Sequence, residues 1–299
     1  MAKQPKIGFI GVGNMGWPMA ANLVTAGYTV AVADHRRIQA ENFAQQIGGT
    51  APDTLAELAA ASEVIITMLP TSVAVGTVLK DVLPAMRPGT IVVDMTSGVP
   101  AETVALAGLV TEAGGAMIDA PVSGGVPRAR TGQLAIMVGG DDAVVAKVDA
   151  VLKVMGPSIL RTGGVGSAHA MKALNNLVSA GGLLIGIEAL LIGQRFGLDP
   201  ALMVDVLNVS TGMNNSTQKK FRQFVLSRSF DSGFGLDLML KDVSIALGIA
   251  QDTATPAPFS GLCRELSAAA QAMLGHGADH TELAKISERL VGDELKLKE

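Results

Sequence analysis

Cysteine is almost missing from this chain: Cys263 is the only one among 299 residues. A single thiol excludes an intramolecular disulfide framework and fits a reducing compartment. No histidine or asparagine adjoins Cys263 to support nucleophilic chemistry, so it reads as a buried structural thiol. Aromatic residues are also scarce, at 3%, which leaves the core to Ala, Val, Leu, Ile and Met. Positive charge is in short supply too, with 23 Lys and Arg against 27 Asp and Glu and a net charge of −4. Nucleic-acid binding needs clustered basic residues that release counterions, so no nucleic-acid partner is expected. No internal repeat or low-complexity linker interrupts the chain, and only residues 293–299 read as a solvated charge run. Residues 1–6 lead directly into an apolar strand, without the long apolar stretch and small-residue cleavage site of a signal peptide. A cytoplasmic location is the expectation.

What is present is apolar and periodic. Hydrophobic residues make up 48%, too many for a disordered chain, and the length suffices for two medium domains with their own cores. In the first half, short runs at 7–10, 29–33, 64–68, 90–94, 116–118 and 134–138 alternate with helix-like segments such as 15–26 and 55–61. That alternation implies βαβ units and a largely parallel sheet, with mixed pairing possible around 134–138. Beyond about Gly166 helical patterns dominate, at 200–208, 236–252 and 258–274. The expected fold is α/β: an N-terminal Rossmann-type doubly wound sheet domain over 1–165 and an all-α C-terminal domain over 166–299. A helix over about 168–196, roughly 43 Å long at 1.5 Å per residue, would join them. Its very apolar stretch 178–192 contains Glu188 and is shorter than the ~20 residues of a membrane span, so no membrane partner is expected. An all-round apolar helix must be buried, in the core of the α domain or at a subunit interface. The α domain is expected to complete a substrate cleft and to form a homodimer or homotetramer.

Three stretches carry chemistry. Gly11-Val12-Gly13-Asn14-Met15-Gly16 follows the first strand and opens a helix. The glycines permit a tight turn, close backbone approach to a pyrophosphate and close helix packing, while the helix N-terminus faces phosphate charge. Asp34 ends the second strand at the spacing of a ribose-binding acid. A carboxylate there bonds the 2′- and 3′-hydroxyls of NAD and repels the 2′-phosphate of NADP, although Arg36 and Arg37 can offset that repulsion. NAD is therefore expected ahead of NADP. The second stretch is Asp119-Ala120-Pro121-Val122-Ser123-Gly124-Gly125, at a strand end where α/β proteins gather ligands. Ser123 offers a hydroxyl, and Gly124 and Gly125 offer unobstructed N–H groups suited to a carboxylate. A plain glycine-rich turn is the other reading. The third is Gly163-Gly164-Val165-Gly166 followed by Lys172 and Asn176, one helical turn apart. Lys172 lies in apolar company and is either a snorkelling surface residue or a functional ammonium. The paired amides Asn175 and Asn176 carry a helix-propensity cost that a polar site explains better than a core does.

The glycine loop extended through Met19, Ala20, Asn22 and Leu23, the DAPVSGG segment, the glycine run into Lys172 and Asn176, and Lys241-Asp242 occur in that order. Together they resemble the β-hydroxyacid dehydrogenase family, which includes 3-hydroxyisobutyrate dehydrogenase and tartronate semialdehyde reductase, over essentially the whole chain. The resemblance implies Lys172 as the catalytic lysine, substrate held by Ser123, Gly124, Gly125 and Asn176, and Lys241 near substrate and nicotinamide. It also implies cofactor contacts from Met68, Leu69, Pro70 and Thr96. Ala168 departs from the family, which usually has glycine there. The implied reaction is hydride transfer between NAD(P) and the carbinol carbon of a small β-hydroxy acid. Lys172 would act as general acid and base, its pKa lowered from about 10.4 by burial or by a cation such as Lys241. Reduction of a semialdehyde such as tartronate semialdehyde is the alternative within this reading.

Other classes fit less well. Imine reductases resemble the chain less because their catalytic lysine is typically replaced, and phosphogluconate dehydrogenases have a much longer second domain. A non-catalytic nucleotide-binding module does not explain Lys172 and Asn176. His276 and His280 are four apart, but flanking glycines mark a loop and no third ligand is apparent, so no metal is expected. His35 and His169 show no partner in the sequence. The polar run 210–217 reads either as a segment closing over substrate or as an exposed loop.

Overall fold

The computed structural model describes residues 4–297 and divides into two compact units, Met1–Lys172 and Ala173–Glu299. In unit 1, strand β1 (Ile7–Ile10) runs into helix α1 (Gly16–Thr25), then β2 (Val30–Ala33), α2 (Arg37–Gln46) and α3 (Leu55–Ala61). Next come β3 (Val64–Thr67), α4 (Ser72–Val82), β4 (Ile91–Asp94), α5 (Pro100–Glu112) and β5 (Ala116–Asp119). A two-residue strand β6 (Val122–Ser123) leads into α6 (Gly125–Arg130), followed by β7 (Ala135–Gly139), α7 (Asp142–Met155) and β8 (Ser158–Gly163).

The sheet order is β2-β1-β3-β4-β5-β7, with β6 and β8 both paired to β7. The first five strands are parallel. β7 runs antiparallel to β5 and β6 but parallel to β8, so pairing is mixed at this edge. The sheet is covered on both faces, and the sequence shows why. Along β3, Val64 and Ile66 enter one buried cluster with Phe9, Met19 and Leu23, while Ile65 enters another with Leu58, Val75 and Leu79. Period-two alternation between two apolar layers produces the doubly wound arrangement. Strand order reverses between β1 and β3, and ligands gather at such a switch point.

Helix α8 (Ser167–Phe196) has 30 residues, about 45 Å at 1.5 Å per residue, and the division between the units falls inside it. In unit 2 it is followed by α9 (Pro200–Asn208), α10 (Asn215–Lys219), a π-helical turn at Phe221–Leu226, α11 (Leu236–Asp252), α12 (Pro258–Leu274) and α13 (Ala284–Val291). Leu183, Leu184, Ile187, Leu190 and Leu191 form one buried stripe of α8 and pack with Phe221, Val225 and Cys263. Gly186 lies in that stripe because any side chain there would collide with the Phe221 ring. By length and composition α8 qualifies as a membrane span, and half of its most apolar window is buried within the chain.

The tail does not behave as a free charge run. Leu295 is fully buried, its N–H donates to Glu288 Oε1 at 2.9 Å, and its carbonyl accepts from Arg228 at 3.0 Å. One apolar residue with a prepared acceptor docks the segment as far as 297. The last two residues of that run, and Met1 to Lys3 of the N-terminal one, lie outside the described residues.

Candidate active site

Unit 1 brings the expected cofactor residues to the carboxyl ends of its strands. Gly11 sits at φ +99°, and a side chain there would strike the Met68 carbonyl, just as one at Gly16 would strike the Gly11 carbonyl. Only glycine closes this turn. At Gly13, by contrast, a Cβ would meet nothing within 4 Å, so the loop is open on the side where a pyrophosphate approaches the backbone around Val12, Gly13, Asn14 and Met15.

Asp34 follows β2 and braces the loop. Its Oδ2 accepts the Val12 N–H at 3.1 Å and its Oδ1 the Arg36 N–H at 3.0 Å. A carboxylate has about four lone-pair positions, so acceptors remain for ribose hydroxyls. A cavity of about 580 Å³ opens beside it, with Ile10, Leu69 and Val78 on its apolar wall and Asp34, Arg37 and Asp53 at its polar rim. Size, apolar wall and carboxylate fit the adenosine half of a dinucleotide. Arg37 is already engaged there: its Nε donates to Glu41 at 2.7 Å and its Nη2 to Asp53.

Two neighbouring carboxylates, paired in register across β4 and β5, organise what lies above them. Asp94 Oδ1 accepts the Thr67 hydroxyl at 2.8 Å and the Thr96 N–H at 3.1 Å. Thr96 Oγ1 in turn accepts the Leu69 N–H at 3.2 Å. Thus Thr96 and the Met68-Leu69-Pro70 segment are joined through one buried acid. Asp119 accepts with both oxygens, from the Gly166 and His169 N–H groups, each at 2.8 Å. Those donors are orphans of a helix start, so Asp119 caps α8 from the sheet. Lys172 lies half-buried on the second turn of that helix, and Ala168 is fully buried on the first. Ser123 is half-buried at the end of β6, with Gly124 and Gly125 exposed beyond it where α6 begins.

In unit 2, Asn176 donates its amide to Asp242 Oδ2, and Lys241 Nζ lies 3.2 Å from Asp242 Oδ1. A carboxylate only accepts, so the contact fixes which end of the Asn176 amide faces it. Asp242 is buried and orders both side chains expected at the substrate. The polar run resolves into exposed residues at 210–213 and the start of α10. There Asn214 caps the helix by accepting from Ser216 and Thr217 N–H groups, with both of those residues buried. The exposed-loop reading therefore fails for 214–217. Lys220 is buried, bonded to Ser179 Oγ at 2.9 Å, and burial pushes its ammonium down to about 8 against the pull of Asp279. Burial also lowers His280, whose Nδ1 lies 3.0 Å from the Phe234 carbonyl. His276 instead lies 3.2 Å from Asp237, so the two histidines serve different partners.

Asp94 was missed in the sequence, whereas Asp119, His169 and Asp242 were named there without the partners the structure gives them. The available signal was an acid ending an apolar strand, at 91–94 and 116–119, and the aspartate beside Lys241.

Comparison with known proteins identifies the family. Residues 6–164 match the family described as the NAD binding domain of 6-phosphogluconate dehydrogenase. Residues 166–287 match the family described as NAD-binding of NADP-dependent 3-hydroxyisobutyrate dehydrogenase. The chain is 36% identical over 295 residues to 2-(hydroxymethyl)glutarate dehydrogenase of Eubacterium barkeri, covering 98% of both chains. It is 34% identical over 293 residues to 2-hydroxy-3-oxopropionate reductase of Escherichia coli, covering 97% of this chain and 99% of that one. The solved structure of Mycobacterium tuberculosis 3-hydroxyisobutyrate dehydrogenase with L-serine superposes with a TM-score of 0.88 at 31% identity, covering 95% and 99% of the two chains. With full-length relatives of this kind and a strand-end site built for a dinucleotide, the chain belongs to the β-hydroxyacid dehydrogenase family, NAD(P)-dependent oxidoreductases that act on a CH–OH group.

Proposed function

We propose that this protein oxidises a small β-hydroxy acid of the 3-hydroxyisobutyrate type with NAD, using Lys172 for proton transfer. The observation that carries the reading is Asp119. It caps the helix bearing Lys172 and also opens the segment leading to Ser123, Gly124 and Gly125. The proton-transfer group and the carboxylate donors are thus anchored at one strand end. NAD(P) supplies the hydride chemistry at the nicotinamide ring. In oxidation the Lys172 amine takes the hydroxyl proton. In reduction the ammonium returns it to the carbonyl oxygen and stabilises the developing alkoxide. Ser123 and the Gly124 and Gly125 N–H groups hold the substrate carboxylate, and Asp242 orders Asn176 and Lys241, the further side chains that the family resemblance assigns to substrate. The resemblance to 2-hydroxy-3-oxopropionate reductase favours the reductive direction on a semialdehyde as the second reading. Steady-state assays of 3-hydroxyisobutyrate, glycerate, serine, 3-hydroxypropionate and tartronate semialdehyde, with both cofactors, decide between them.

Two features support NAD over NADP. Asp34 faces the cavity with a carboxylate, and Arg37, one of the two cations (with Arg36) that could meet a 2′-phosphate, is held by Glu41 and Asp53. Asp34→Ala is expected to narrow the preference, and Asp34→Ala with Asp53→Asn to narrow it further, by roughly tenfold in kcat/KM ratio, the equivalent of about 1.4 kcal/mol. A wild-type enzyme that already favours NADP would sink the charge argument.

A homo-oligomer is also proposed. Val178, Ile185 and Ile192 recur every seven residues along α8 and are 75%, 52% and 71% exposed, and monomers seldom leave such a stripe in water. Light scattering after gel filtration should give a dimer or tetramer, and Ile185→Asp should shift it to smaller species. A monomeric wild type at micromolar concentration would exclude the proposal.

A further inference from the structure

His169 stands three residues before Lys172 on the first turn of α8, and its side chain is completely enclosed. Its Nδ1 lies 2.7 Å from the Thr103 hydroxyl of α5. The single proton of that hydroxyl is donated to the Val99 carbonyl at 3.0 Å, so the oxygen must accept, and Nδ1 of His169 carries hydrogen. The other ring nitrogen faces Asp94 Oδ2 at 4.0 Å, beyond hydrogen-bond length. Neither of these two buried atoms has a hydrogen-bond partner. A buried polar atom left this way is unusual and needs a reason other than stability, because a carbon side chain would fill the space at lower cost. The ring also lies against the segment after Thr96: a Cβ at Gly98 would come within 2.9 Å of Nδ1. One side chain therefore touches α5, the Thr96 segment and the carboxylate that orders it, while its own backbone N–H is held by Asp119 at 2.8 Å.

We propose that His169 is a positioning residue for hydride transfer: by bonding Thr103 and packing the first turn of α8 beside Asp94, it fixes Lys172 relative to the strand ends that carry the cofactor segments. Asp119 grips the main chain at Gly166 and His169, and the Ser167 hydroxyl lies 2.8 Å from that of Thr162. The His169 ring adds a side-chain contact one turn before the lysine, whose long side chain would amplify any rotation. This inference rests on the reading of Lys172 as the proton-transfer group.

The test uses the full-length protein loaded with NAD, with enzyme in excess over 3-hydroxyisobutyrate, or over serine if that is oxidised faster. The single-turnover rate constant of NADH formation, measured with and without deuterium on the carbinol carbon, reports the chemical step and is blind to the fraction of enzyme that is folded. His169→Ala is expected to slow that constant about 10- to 100-fold, the cost of a misplaced catalytic group, while the Kd for NAD stays within about threefold. His169→Asn, whose amide nitrogen takes the place of Nδ1 and can still donate to Thr103, should recover most of the rate. Thr103→Val keeps the volume, frees Nδ1 and serves as the second variant should His169→Ala not fold. It should slow the step in the same direction. A single-turnover constant unchanged in the folded variants overturns the inference, as does a lower steady-state kcat that traces only to less active enzyme. Lys172→Ala measured in parallel separates the two failures. Full activity there defeats the reading of Lys172, whereas an inactive Lys172→Ala beside a normal His169→Ala defeats only the inference about His169.

Discussion

Replacing Lys172 by alanine is expected to lower kcat by about 10²–10⁴, the usual contribution of a general acid–base group. NAD binding should be unchanged, because the loop Gly11–Gly16, Asp34 and the cavity beside it are formed by other elements of unit 1. The fold should survive as well. Lys172 is only half-buried, and the Asp119 carboxylate secures the helix start. Alanine also has the higher helix propensity. Loss of rate with intact NAD affinity and an unchanged melting temperature would mark a group that acts on the reacting oxygen alone. A variant keeping more than about a tenth of wild-type kcat lies outside the range for such a group and removes Lys172 from the mechanism.

The second large effect concerns the substrate. An acid and its methyl ester differ by one charge at a point where Ser123 and the Gly124 and Gly125 N–H groups are proposed to wait. With the ester, these donors lose an anionic partner, and a site built on polar groups can reject such an analogue by up to ~10⁴–10⁵. We therefore expect 3-hydroxyisobutyrate to exceed its methyl ester, and 3-hydroxypropionate to exceed 1-propanol, by several orders of magnitude in kcat/KM. Equal values for an acid and its ester would eliminate the carboxylate anchor and leave the oxidoreductase assignment standing. The prediction is independent of Lys172, since the same discrimination should persist in whatever activity Lys172→Ala retains.

Much of unit 1 was legible because each central strand is a short apolar run between helix-like segments, and the observed bounds differ from the expected ones by about a residue. The glycine loop was legible for a steric reason, since only glycine fits at Gly11 and Gly16. β8 was not. As a strand paired only with β7, it has the sequence Ser-Ile-Leu-Arg-Thr-Gly with no fully buried residue, so nothing in its hydropathy sets it apart from a loop. The π-helical turn Phe221–Leu226 looks like any α-helical segment in sequence, because one shifted hydrogen bond leaves the residue pattern unaltered. The roles of Asp94, Asp119 and His169 depend on β4 lying beside β5 and α8 starting above them. Periodicity identifies strands and helices, but it does not say which strand ends become neighbours. Leu295 was hidden for a related reason: two leucines among charges, Leu295 and Leu297, carry no helical or strand signal of their own, and Glu288 supplies the acceptor that holds the Leu295 N–H.

The solitary thiol has a practical consequence. Cys263 is buried in the core of unit 2, and burial pushes its pKa above the ordinary value, so little of the reactive thiolate is presented to a reagent near neutral pH. The native chain is in effect a silent background for thiol-directed labelling. A cysteine introduced at an exposed site such as Val73 on α4, 71% exposed, would be the one group to take up a maleimide dye or a nitroxide. No native residue would have to be removed first. Fluorescence or spin-label reporters of cofactor binding can thus be placed one position at a time on an otherwise wild-type sequence.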